Sequence, residues 1–227
     1  MRLLHYINEE NELEKIAPIL KKECSQILKV MKKDVFLYRG MKKGGEPFIE
    51  RVPRTDRTPL DTSTTMHDIM NEYFKEKFGW AARSEGLFCT TSPSQARFYG
   101  DVYIIFPVNG YKFIWSPLVH DLFDKQNKFI KSFMKDRAGT KSDLHAFIDM
   151  SQTNSREIKE DVFSMLDNLK YTDKSLQKSI IFNSEVMVKC NKYYAINKNK
   201  YYAFNKKYIS TTTAFGFTQL ELTQLGL

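Results

Sequence analysis

The sequence predicts an α/β (α+β) fold, and three observations predict it. Apolar residues recur at helical spacing from Glu10 to Lys33. Short apolar runs bounded by glycine, asparagine and serine read as strands distributed along the whole chain. Residues 86–100 then join the two patterns, because a short apolar strand runs into three hydroxyls and a Ser-Pro helix start.

The N-terminal stretch places Leu13, Ile16, Ala17, Leu20, Cys24, Ile27, Leu28 and Met31 on one face, with Lys and Glu between them. It reads as one long amphipathic helix, with Cys24 filling core. Residues 35–40 follow as a buried strand ending in Arg39 and Gly40. A glycine there lets backbone approach a ligand, and an arginine can grip phosphate bidentately, although a plain surface arginine is the commoner case. Residues 41–62 are polar, basic and proline-punctuated, and read as an exposed loop. Its Arg51, Arg54 and Arg57 either meet phosphates or are solvated. Ser63 or Thr64 caps a helix whose stripe is Met66, Ile69, Met70, Tyr73, Phe74 and Phe78, stopped by Gly79. His67 falls off that stripe and reads as solvated.

In the central stretch Leu87 and Phe88 form the strand, Thr90, Thr91 and Ser92 supply the hydroxyls, Ser92 caps, and Pro93 takes the first helical position. Phe98 and Tyr99 come one turn later, closed by Gly100. Hydroxyls at a strand end can orient a charged neighbour, and an aromatic beyond them can stack on a flat ligand; a core tyrosine in an ordinary strand-turn-helix is the alternative. Residues 102–107 and 111–115 read as a hairpin through Asn109-Gly110. Residues 118–135 read as a helix with His120 and Asp121 in its first turn. Residues 142–179 form a charged helical region, where Asp149, Asp161 and Asp167 lack metal-ligand spacing.

Residues 180–190 read as a strand with Asn183, Glu185, Met187 and Lys189 on one face. A carboxylate in so apolar a run is costly to bury unless paired, so Glu185 is either an exposed edge residue or faces a site with a cation waiting. Residues 191–198 are then nearly repeated as 199–206, like the arms of a second hairpin. Its Lys and Tyr residues either hold single-stranded nucleic acid or send Tyr193, Tyr194, Tyr201 and Tyr202 into the sheet core. The tail from Thr211 is weakly patterned.

The 227 residues suffice for one well-buried domain, and 42% hydrophobic with 14% aromatic residues excludes a disordered chain. The parts are an N-terminal helix (1–33), the first half of a core (34–116), a helical region (117–179), and a strand plus hairpin (180–210). The net charge of +8 favours an anionic partner. Cys24, Cys89 and Cys190 are widely spaced and read as free thiols of a reducing compartment. No export signal or membrane-length apolar run occurs, so the expectation is a cytoplasmic protein without a membrane partner.

In order, Arg39-Gly40, Thr90-Thr91-Ser92 and Glu185 resemble the three motifs of the ADP-ribosyltransferase superfamily: an Arg-Gly after the first strand, a Ser-Thr-Ser-like middle motif, and a glutamate on a late strand. The run from Ser94 to Tyr99 is also similar to that of the poly(ADP-ribose) polymerase branch, whose tyrosine stacks on nicotinamide. The resemblance covers residues 34–205 by motif order. It implies a split β-sheet core and NAD as substrate, without a metal. Glu185 would face the ribose 2′-hydroxyl, Arg39 the NAD phosphate, Gly40 backbone the nicotinamide amide, and Tyr99 its ring. Thr90 would orient Glu185 or Arg39, with Thr91 and Ser92 lining the same site.

Asn183 stands where arginine-modifying members carry Glu or Gln, which leaves the target open. The implied activity is mono-ADP-ribosyl transfer to a macromolecule. The charge, the arginine loop and the Lys/Tyr repeat favour nucleic acid, RNA or DNA, over protein. The resemblance also implies an intracellular toxin or effector, whose partner would be a neutralising protein. The alternatives are a non-catalytic nucleotide-binding or nucleic-acid-binding module and an NAD glycohydrolase.

Overall fold

The computed structural model describes residues 15–31, 36–42, 45–57, 63–138 and 155–201. In chain order the elements are helix α1 (15–23), α2 (Ser25–Val30), strand β1 (Tyr38–Met41), β2 (Phe48–Arg51), α3 (Thr64–Phe78), α4 (Ala82–Glu85), β3 (Leu87–Thr90), α5 (Pro93–Arg97), β4 (Asp101–Pro107), β5 (Lys112–Trp115), α6 (Leu122–Ala138), α7 (Ser155–Asn168), α8 (Leu176–Ile181), β6 (Glu185–Lys189) and β7 (Tyr193–Asn197). The architecture is mixed α/β, with strand order β2-β7-β4-β1-β3-β6-β5. Wherever register is recorded, pairing is antiparallel.

The chain divides into two compact units, residues 1–52, 89–111 and 190–227 in the first and 53–88 and 112–189 in the second. These units cut across the four consecutive parts read from the sequence. The reason lies in the first unit, where β7 from late in the chain pairs with β2 and β4 from its first half.

In the first unit β7 is an interior strand, so Tyr193, Tyr194, Ala195 and Ile196 are all buried. Glu23 accepts from Tyr194 Oη at 2.7 Å and pairs with Lys192 at 2.8 Å. Those two contacts hold the Glu23 carboxyl below its ordinary range. The repeat does not form a hairpin. Its first copy is β7, residues 198–201 are helical, and Tyr201 is buried at 2% exposure; Tyr202 and the remainder lie outside the described residues. Burial of Tyr193, Tyr194 and Tyr201 removes them as a nucleic-acid surface.

Two further expectations are corrected here. The loop at 41–62 contains β2, whose Ile49 is buried against β7 opposite Ala195. The long N-terminal helix is interrupted at Cys24, and residues 1–14 lie outside the described residues. Asn109 accounts for the break: its side chain accepts from Gln26 N at 2.9 Å and donates to Lys22 O at 3.1 Å. The same contacts hold the Asn109-Gly110 turn on the helices. It closes no hairpin, because β4 pairs with β1 and β7 while β5 pairs with β6.

In the second unit α3 follows the sequence closely. Ser63 accepts from Met66 N at 3.2 Å, and Gly79 stops the helix at φ 79°. Met66, Met70, Tyr73 and Phe74 pack with Ile158, Val162 and Leu166 of α7 in one apolar core. The helix expected from residue 118 begins at Leu122, with Asp121 Oδ1 accepting from Phe123 N at 2.8 Å. The strand expected from residue 180 begins at Glu185, because residues 180 and 181 complete α8. Trp115 ties β5 to the chain after α7 through Thr172 N–H and O and through Lys174 O.

Gly40 is required by packing. A Cβ there would lie 2.0 Å from Ala96 O and 2.8 Å from Tyr99 Cβ, so only glycine lets α5 rest on β1. Gly40→Ala is expected to destabilise the protein by about 1–3 kcal/mol, the usual cost of overpacking. Urea denaturation checks this, and an unchanged midpoint would mean that α5 does not sit against β1.

Candidate functional site

Glu185 is the most unusual group in the second unit. It opens β6 immediately after Asn183, which adopts φ 50°, and Ser184, which is fully buried. Three contacts fix this entry. Ser184 N donates to Ser179 O at 3.2 Å, Glu185 N donates to Val119 O at 3.1 Å, and His120 Nδ1 donates to Asn183 O at 3.1 Å. The Leu122 amide, at the start of α6, lies close enough to favour the charged form of the Glu185 carboxyl. Glu185 as a whole is half-buried, but its Oε1 is buried and has no hydrogen-bond partner among the described residues, and the same holds for Ser184 Oγ and Tyr171 Oη.

Burial pushes the Glu185 carboxyl up to about 7, and nearby Asp121 acts in the same direction. Arg83, the Leu122 amide and Arg57 oppose the rise. The two arginines share one anchor: the Arg57 guanidinium lies 4.5 Å from the Phe88 ring centroid and that of Arg83 lies 5.3 Å from it. Arg57 also donates to Gly86 O at 3.2 Å. Asn71 Oδ1 accepts from the Arg83 and Ser84 amides at 2.9 and 3.1 Å and so holds α4 in place.

Sequence reasoning noticed Arg57 but missed Arg83 and Tyr171. Arg83 lies in a four-residue helix with no periodicity to reveal it, and Tyr171 follows α7 among charged residues. The expectation for His67 is also corrected. It is buried at 6% exposure, with Nε2 3.0 Å from Ser84 Oγ, because α4 covers its face of α3. Burial lowers its pKa, and Arg83 lowers it further.

The first unit carries the other sequence-predicted residues. Arg39 is half-buried on β1, and Tyr193 feels its charge. Thr90 pairs directly opposite Tyr38, so it shares the Tyr38 face while Arg39 points to the other. Its hydroxyl donates to Gln95 Oε1 at 2.8 Å and accepts from Ser92 N at 3.1 Å. Thr90 therefore does not orient Arg39 here; its hydroxyl shapes the start of α5. Thr91 is buried, and Ser92 caps α5 by accepting from Gln95 N at 3.4 Å. Tyr99 stands just past α5 at 55% exposure.

Among the described residues no group of His, Cys, Asp and Glu is arranged to hold a metal ion, and no helix is long and apolar enough to cross a membrane. Cys24 and Cys89 are buried free thiols and Cys190 is a half-buried one. No family model matches the chain, and neither a curated protein nor a solved structure matches it.

The raised carboxyl gives a signed pH dependence. Native Glu185 holds its proton to about pH 7 while the unfolded chain releases it near 4.5. Its stabilising contribution is therefore complete below about 4.5 and is lost as pH rises through 7. Relative to Glu185→Gln, the wild type is expected to lose up to about 3 kcal/mol over that interval, at about 1.4 kcal/mol per unit. Denaturation of both proteins from pH 4.5 to 8 checks it, and a constant difference would place the carboxylate in water.

Proposed function

We propose that the protein is an NAD-dependent mono-ADP-ribosyltransferase acting on a macromolecule. The observation that carries this reading is the Glu185 Oε1 atom, a buried carboxylate oxygen without a partner, at the head of β6.

The chemistry follows from the carboxylate. Breaking the nicotinamide–ribose bond sends the bonding pair to nicotinamide and leaves positive charge on C1′ and the ring oxygen, as in glycoside transfer. Glu185 Oε1 accepts from the ribose 2′-hydroxyl, and its negative charge stabilises that developing cation. The acceptor's nucleophilic atom bonds to C1′ and gives its proton to water. Arg39 binds the dinucleotide phosphate, and Tyr99 provides a stacking face for nicotinamide.

In this reading the middle motif contributes indirectly. The Thr90 hydroxyl, Gln95 and Ser92 fix the first turn of α5, and α5 carries the chain to Tyr99. Thr90, Thr91 and Ser92 thus act on the substrate through the placement of Tyr99. Gly40 contributes the close approach that seats α5.

Incubation with NAD labelled in the adenylate, with separate protein, RNA and DNA pools, tests the reading. Labelled acceptor and released nicotinamide are expected together; nicotinamide release alone would indicate hydrolysis. Glu185→Gln should lose about a hundredfold or more in nicotinamide release while still binding NAD, the usual effect of removing one electrostatic contributor. Full activity in that variant would remove Glu185 from the mechanism. Arg39→Ala should weaken NAD binding in calorimetry, and equal affinity would remove Arg39 from the phosphate. The wild-type rate should rise with pH through about 7, as the carboxylate ionises.

A further inference from the structure

The turn after α5 presents two aromatic rings to solvent. Phe98 is 88% exposed and Tyr99 55% exposed, and Arg97 and Lys42 beside them are exposed too. A single exposed aromatic needs no explanation, but these rings stand on a turn that is held outward. Phe98 N, Tyr99 N and Gly100 N donate to Gln95 O, Ala96 O and Arg97 O at 3.2, 3.0 and 3.2 Å. Gly100 at φ 130° packs so closely on β1 that a Cβ there would lie 2.4 Å from Met41 O and 2.8 Å from Lys42 N. Those contacts set Lys42 next to the aromatic turn, with Asp101 as the exposed acid that follows it.

We propose that Phe98, Arg97 and Lys42 form a binding platform for single-stranded nucleic acid, which is the acceptor. The role as acceptor rests on the transferase reading; the platform itself rests on the exposed rings and cations. A rigid aromatic stacks on any unpaired base, while a neighbouring guanidinium and ammonium attract the phosphates on either side. A duplex hides its base faces and cannot use the ring. The exposed cations Arg97 and Lys42 beside an exposed ring suit a strand that carries a phosphate at every base.

Anisotropy with fluorescent single-stranded RNA and DNA 12-mers, without NAD and over a range of salt, tests the proposal on the full chain. The same 12-mer as a duplex and an acidic peptide serve as competing probes, and nicotinamide release is measured on the same preparations. Phe98→Ala should weaken single-strand binding about 5- to 100-fold, the loss of one stacked base, and Phe98→Trp should restore it. Arg97→Gln should lower the slope of log affinity against log salt by about 0.7, one phosphate contact. Both variants should keep the wild-type circular dichroism and release nicotinamide at the wild-type rate.

Single-strand binding no stronger than that of the duplex or the peptide overturns the proposal, as does a Phe98→Ala variant that binds like the wild type. Nicotinamide release with label on an acceptor but without Phe98-dependent binding overturns the platform and leaves the transferase reading standing. Phe98-dependent binding without nicotinamide release supports the platform and overturns the transferase reading.

Discussion

A half-buried glutamate with one carboxyl oxygen kept out of water is the constraint around which the second unit is arranged. An isolated buried carboxylate costs several kcal/mol or shifts its pKa until it is neutral, and Glu185 shows the second response. What makes the position tolerable is local. Arg83, the Leu122 amide and Arg57 offset part of the burial. What makes it persist is backbone: Asn183 in the left-handed region, the Ser184–Ser179 and Glu185–Val119 bonds, and His120 on the Asn183 carbonyl. A strand needing only packing would carry an apolar residue here, as Val186 and Val188 do further along β6. A group poised near neutrality with one oxygen unpaired is the kind of strain that accumulates at functional sites.

The legible parts of the chain were those whose signals are local. Ser63 and Gly79 bound α3, and Ser92-Pro93 starts α5, because caps act through hydrogen bonds within one turn. The failures came where a distant element decided. Asn109-Gly110 looks like a hairpin turn, but its asparagine is engaged by Lys22 and Gln26. β2 was hidden because only Phe48 and Ile49 are apolar, and its existence depends on β7 as a partner. The Lys/Tyr repeat looked symmetric, yet one copy found an interior strand position while the second starts as helix. Of the candidate site, Glu185 was legible as an acid in an apolar run. Arg83 was not, since its importance comes from Phe88 and Asn71, neither of which marks it in sequence.

The hydroxyls of Thr90 and Ser92 have a folding task. The two hydrogen bonds of Thr90 and the cap of Ser92 are spent within α5 and its entry, so these hydroxyls are satisfied before any ligand arrives. That arrangement fixes the short helix, which as a five-residue segment has little stability of its own. Gly40 and Gly100 complete the lock by allowing backbone contact that a side chain would block. A motif of small hydroxyls and glycines is thus explained by the geometry of one helix and turn.

Charge is distributed less evenly than the net value implies. Lys77 meets Asp167, Lys159 meets Glu72 and Glu76, Lys189 meets Glu85, and Lys192 meets Glu23 and Glu50. Such partly exposed pairs add little stability, about 0–1 kcal/mol each, but they cancel field locally. With these four lysines paired, the surplus of +8 is carried by the remaining cations. Beyond about 8 Å at physiological salt, exposed charges hardly act together, so an anion responds to neighbouring cations rather than to the total. The close backbone approach of Gly100 to Met41 and Lys42 brings the end of β1 within such a distance of the aromatic turn, which is why the proposed platform draws on Arg97 and Lys42 rather than on the total.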